Sequence, residues 1–305
     1  MSNATFDKAV LRCIPSEFNM ISAADDSQQA EEAYNAVEFE LPNPNGKEGG
    51  ACTSALLQVF YDNAHRIGKL TWVQVLKHMR GELKSMGFNQ EPFLSSSRPI
   101  DAGKPLYIVP PGSGKRRALL IGINYVGQQG ALKAPHNDTS NVKDYLINVL
   151  GFQEQEILVL MDDGNHPMPT KQNIMDGFER LVRYSQPGDV VFISFSGHGG
   201  NVKDEDGDEE DGMDESIIPV DFREAGQIID DDILADLIKP MPEGGTFVLC
   251  CAVLCCAVCM YVGGDCRSWW LWTGVKERDV GPQTHLNHHS LLSPCALVVP
   301  KQNET

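Results

Sequence analysis

From residue 117 onward, short apolar runs alternate with amphipathic stretches. RALLIGI (117–123), EILVLMDD (155–162) and DVVFISF (189–195) read as buried strands, and TFVL (246–249) opens a fourth. NVKDYLINVLGF (141–152) reads as an amphipathic helix closed by Gly151. Thr170 caps a second helix that carries Ile174, Phe178, Leu181 and Val182 on one face. Ile233, Leu234, Leu237 and Ile238 mark a third. This alternation predicts an α/β sandwich with a mostly parallel central sheet. A functional site is then expected at the carboxyl ends of the strands.

The first 102 residues follow their own pattern. FNMISAADD (18–26) starts strand-like and ends polar. GGACT (49–53) leads into a helical pattern through Ala55, Leu56, Leu57, Val59 and Phe60. A second helix begins at Thr71, with Gln74 completing a capping box, and places Val75, Leu76, Met79 and Leu83 on one face before Gly87 ends it. FLSSSRPID (93–101) reads as a short strand. GKPLYIVPPGSGKR (103–116) reads as a linker. Its GSGK is not a phosphate loop, because Val109 and Arg116 stand where that motif needs Gly and Ser or Thr. Residues 250–305 leave the strand–helix pattern: FVLCCAVLCCAVCMYV (247–262) is uncharged, and the later part shows no clear period.

A net charge of −17 argues against nucleic acid or an acidic membrane as partner. Much of it is local, in DEDGDEED (204–211), Asp214, Glu215 and the triplet Asp230-Asp231-Asp232. MSNATFDKAV lacks the basic start and apolar core of a signal peptide. Cys13 and Cys52 are the only cysteines before residue 250, so the main body has no disulfide framework. A cytoplasmic monomer is the expectation.

The chemistry concentrates in VFISFSGHGG (191–200). An apolar strand that delivers His198 between Ser196, Gly197, Gly199 and Gly200 presents a general base to a nucleophile. The backbone N–H of Gly199 is a candidate oxyanion donor. The alternative is a histidine that only ends a core strand; the acidic loop beside it weighs against that. In that loop Asp204, Asp206, Asp208 and Glu215 fall at EF-hand positions, but Glu209 replaces the required Gly and no helix pair flanks them. Cys256-x-x-Cys259 and His285-x-x-His288 suggest zinc, yet the gap is too long for a finger and the cysteines lie in an apolar run. The run 247–262 is also shorter than the ~20 residues that cross a bilayer, so a membrane partner is not expected.

Several segments together carry a family resemblance. RRALLIGINYVGQQGALKAPHNDTSNVKDYL, FISFSGHGG, DGMDESIIPVD and QIIDDDILADLIKPMPEG resemble the large catalytic subunit of the metacaspases, caspase-related cysteine endopeptidases. FNMISAADDSQQAEEAYN, GGACTSALLQVFY, LTWVQVLKHMR and LSSSRPID resemble the small subunit. Small precedes large, an arrangement that resembles the type III metacaspases of algae. The resemblance implies a caspase-like three-layer sandwich in which 1–102 shares one sheet with 117–249. It implies cleavage of proteins and peptides after Arg or Lys, and activation by Ca2+. His198 falls on the catalytic histidine, and Asp138 and Ser196 on positions lining the pocket for a basic side chain. Pro135 stands where the family usually has Cys. Asp214, Asp230 and Asp231 match calcium carboxylates.

One departure changes the functional expectation. The family's nucleophile lies just after the fourth strand in a D-C-C-H-S-G segment, and here Ala252 occupies its position. The later calcium carboxylate and the closing helix are also absent, and the abrupt change suggests a retained intron, a frameshift or a faulty gene assembly. Cys250, Cys251, Cys255 and Cys256 are the available thiols, but apolar surroundings favour inert ones. The expectation is a calcium-dependent cysteine endopeptidase scaffold whose own turnover is lost. A non-catalytic calcium-binding regulator and a membrane-associated fragment using 247–262 are the alternatives.

Overall fold

The computed structural model describes residues 14–23, 32–33, 49–63, 70–98, 103–203 and 212–253. All of them lie in the first of two compact units, Met1–Gly274; the second, Val275–Thr305, lies outside them. In chain order the first segment gives β1 (Glu17–Ser22), a short ladder of β2 (Glu32–Ala33) and β3 (Gly49–Gly50), α1 (Ala51–Asp62), α2 (Trp72–Ser85) and β4 (Phe93–Ser96). Then come β5 (Arg116–Gly122), α3 (Pro135–Asn148), β6 (Ile157–Met161), α4 (Lys171–Tyr184) and β7 (Val190–Gly197). A small hairpin of β8 (Gly199–Lys203) and β9 (Met213–Ile217) follows. The described chain ends with α5 (Phe222–Ala225), β10 (Ile228–Ile229), α6 (Asp230–Ile233), a π turn over Leu234–Ile238 and β11 (Thr246–Val253).

Six strands form the main sheet in the order β4-β1-β11-β7-β5-β6. All neighbours pair parallel except β4, which runs antiparallel to β1. Two strands of the first segment therefore extend the sheet beyond β11, although they come first in sequence. The second sheet has the order β10-β9-β8.

Pleating divides the core into two layers. On β5, Ala118 and Leu120 join a cluster with α1, α2 and α3, while Leu119 and Ile121 join one with α4, α6 and the π turn. The parallel strands thus read as continuous apolar runs because both faces are covered. On α4, Ile174, Phe178 and Leu181 are buried and each contributes on the order of 1.5–3 kcal/mol of hydrophobic stabilisation. The fold is α/β with a mostly parallel sheet between helical layers, as the apolar pattern and the family resemblance imply.

Boundaries differ from the pattern in three places. α3 starts at Pro135 rather than near 141, since its first turn buries polar side chains that carry no apolar signal. β11 continues through Cys250 to Val253, past the TFVL (246–249) with which the pattern opens it. β8 and β9 are polar strands that periodicity does not reveal. The segment 103–116 is more than a tether, because Leu106 and Ile108 are buried in the first core layer.

Candidate active site

His198 stands between β7 and β8, directly after Gly197. A Cβ on Gly197 would lie 3.0 Å from Phe195 and 3.1 Å from the Tyr125 hydroxyl, so any larger residue here would crowd both rings. The backbone N–H of His198 donates to Tyr125 Oη at 2.9 Å, and that hydroxyl donates to the Ile218 carbonyl at 2.7 Å. The two rings pack with centroids 4.7 Å apart. Burial pushes the Tyr125 phenol well above its ordinary range; the His198 N–H partly offsets this and the charge of Asp162 adds to it. The phenol therefore stays protonated and can accept and donate at once.

The imidazole is held in one tautomer. His198 Nε2 lies 2.6 Å from the Gly130 carbonyl oxygen, which only accepts, so Nε2 carries the hydrogen. In the neutral ring the lone pair then lies on Nδ1, the atom that would take a proton from a thiol. Ile218 N–H donates to the His198 carbonyl at 3.1 Å, which makes Gly199–Ile217 a non-hydrogen-bonded pair of the β8–β9 ladder. The Gly199 N–H thus points away from β9, and β8 is the edge of its sheet. That orientation suits an oxyanion donor.

Tyr125 and Gly130 belong to a loop that the sequence pattern did not single out. Asp162, following β6, accepts from Asn124 N and Val126 N at 2.8 Å each and pairs with His136 Nε2 at 2.6 Å. Burial raises its carboxyl, but these donors outweigh burial and hold it below the usual range. Leu132 N–H closes the loop on the Asn124 carbonyl at 2.8 Å. Tyr125 has φ +52°, a left-handed conformation disfavoured for an aromatic residue. The glycines of GINYVGQQG were the available signal for a tight turn here.

Asp138 and Ser196 meet. Ser196 Oγ donates to Asp138 Oδ2 at 2.9 Å, and both residues are buried. The second oxygen, Oδ1, accepts from Gly50 N at 2.8 Å. Gly50 is the N-cap of α1, so one carboxylate joins β7, α3 and the amino end of a helix from the first segment. A Cβ on Gly50 would lie 2.5 Å from Asp138 Oδ2, a contact that only glycine avoids. The sequence places Gly50 in GGACT at the entry to a helix, but nothing local points to its bridge with Asp138.

Asp214 is buried on β9, Asp230 is the buried first residue of α6, and Asp231 follows it half-buried. β10 pairs Ile229 with Ser216, so the chain that continues into Asp230 and Asp231 starts beside the stretch holding Asp214 and Glu215. Carboxylates are hard donors that suit calcium. Among the described residues, however, no group of three or more His, Cys, Asp or Glu is placed to hold a metal ion. The acidic run 204–211 and the Cys256–Cys259 and His285–His288 pairs lie outside the described residues.

In the β11–β7 ladder, Ala252 pairs with Ser196 and Val253 with Gly197. The backbone of β11 thus reaches the level of His198 with no Cys at 252 or 253. A groove of about 460 Å³ lined by Lys115, Arg180 and Tyr184 opens at the opposite end of the strands and holds none of this chemistry. No helix among the described residues is long and apolar enough to cross a membrane.

Residues 116–262 match the family described as metacaspase, peptidase C14 domain. The match runs past residue 249, where the strand–helix pattern breaks. Metacaspase III c of Phaeodactylum tricornutum is 43% identical over 255 residues, covering 82% of this chain and 75% of that protein. Metacaspase-1A of Neurospora crassa is 48% identical over 134 residues, covering 43% of this chain and 30% of its own length. Metacaspase-1 of Botryotinia fuckeliana is 49% identical over 134 residues, covering 43% of this chain and 32% of its own. One solved structure, a Geobacter sulfurreducens protein, is 28% identical with a TM-score of 0.37 over 45% of this chain and 50% of that one, too loose a match to carry argument.

Proposed function

This chain belongs to the metacaspase family of caspase-like cysteine peptidases, and from that premise we propose a calcium-dependent endopeptidase scaffold for cleavage after Arg or Lys, with turnover lost in this chain. His198 Nδ1 is the base, and the Gly199 N–H is the oxyanion donor. Asp138, fixed by Ser196 and Gly50, is the buried carboxylate that pairs with a basic side chain. Asp214, Asp230 and Asp231 are the carboxylates that would hold calcium. Asp214 and Asp230 are buried on neighbouring elements, and carboxylate oxygens are the hard donors that suit calcium. A bound ion would supply charge neutralisation between the β8–β9 hairpin and α6.

The observation that carries the loss of turnover is the pairing of Ala252 with Ser196. Peptide cleavage by a cysteine enzyme needs a thiolate within reach of the imidazole, and the residue paired with Ser196 is alanine, which has no thiol. The test is labelling by an Arg-directed covalent cysteine-peptidase probe in calcium. The chain as it stands should remain unlabelled. Ala252→Cys should gain labelling, and Ala252→Cys/His198→Ala should lose it again. Calcium-stimulated labelling of the unaltered chain that disappears with His198→Ala overturns the proposal and assigns the role to another thiol.

A further inference from the structure

We propose that Asp162 is a positioning residue for His198, acting across two strands through the 124–132 loop. Asp162 does its bonding at the mouth of that loop. Its carboxylate takes the N–H groups of Asn124 and Val126, the two residues flanking Tyr125. Holding both neighbours fixes Tyr125 in its left-handed conformation, φ +52°, which the free loop would abandon. From there the phenol reaches over β5 to hold the His198 backbone N–H, with Ile218 anchoring the hydroxyl from the other side.

The same clamp sets the second contact. The Leu132–Asn124 hydrogen bond closes the loop at the residue that Asp162 grips, and Gln128 Nε2 ties its far side to the Val220 carbonyl at 2.7 Å. Gly130, with φ +85°, turns its carbonyl onto His198 Nε2 inside this closed ring. Asp162 therefore governs both the backbone and the tautomer of the base. His136 is the third donor to the carboxylate, and it also donates its backbone N–H to Asn124 Oδ1 at 3.2 Å.

The inference rests on the reading of His198 as the base, but its test needs no turnover, so the two can fail separately. In the full chain, the Nε2 proton of His198 is followed by NMR hydrogen exchange together with the Asn124 and Val126 amides. In the unaltered chain all three should share one opening event as denaturant is raised. Asp162→Asn should speed exchange at all three by ~tenfold or more. Tyr125→Phe should speed exchange of the His198 backbone amide, which the phenol holds, and leave the Asn124 and Val126 amides protected. Asp162→Asn that frees the two amides but leaves the Nε2 proton protected overturns the proposal, since that is what a purely structural carboxylate does. If the variant does not fold, separate opening events in the unaltered chain overturn it equally.

Discussion

Asp163 turns its carboxylate back on its own loop. Oδ1 accepts from Asn165 N at 2.9 Å and His166 N at 3.0 Å, and Oδ2 pairs with the His166 ring at 2.9 Å. Burial raises its carboxyl, but these partners outweigh burial and bring it down to about 2. A depressed carboxyl stabilises the fold above its unfolded value, ~3.9, and that gain is lost as pH falls towards the folded value. Asp163→Asn should therefore lower unfolding free energy by about 2 kcal/mol at pH ~6 and by almost nothing near pH ~2. Urea titrations at several pH values read this, and a gap that persists in acid would remove the ionic explanation. Next to it, Asp162 shows what sequence hides. Its partners Asn124 and Val126 lie 38 and 36 residues earlier, so periodicity sees only the end of a strand. His198 was legible because its surroundings are local: an apolar run before it and glycines around it.

Local elements were read most completely. At Thr71 the capping box is present, with Thr71 Oγ1 accepting from Gln74 N at 3.2 Å and Gln74 Oε1 from Thr71 N at 2.9 Å. Thr71→Ala should cost about 1 kcal/mol, read by thermal unfolding. A loss below a few tenths would mean that water replaces the cap. The amino end of α1 is different, since its cap comes from Asp138, 88 residues away, and no sequence window contains both partners. Gly50→Ala drives a methyl group at that carboxylate and should destabilise by about 2–3 kcal/mol. In a double-mutant cycle with Asp138→Ala the two losses should fall short of additive, because both break one contact. Full additivity would show that they act apart. The β8–β9 hairpin escaped notice because GGNVK and MDESI have no apolar alternation to reveal them.

The main sheet draws strands from both segments of the chain, and the segments meet in two core layers. The apolar runs made the parallel centre legible. They could not supply strand order, because β1 and β11 find each other only through packing. Proteolysis at the exposed Pro111–Gly112 turn should nick the chain, yet the fragments should co-elute on a sizing column, since β1 stays paired with β4 and β11. Fragments that separate would mean that the shared sheet contributes little. The pairing of β1 with β11 also fixes a timetable. A ribosome delivers β1 and β4 early and β11 only with residues 246–253. Until then the growing chain displays the inner edge of β1 with no strand to receive it, open to pairing with a neighbouring nascent chain. Recovery of folded protein should accordingly depend on translation speed and chaperone supply more than on the stability of the finished sheet.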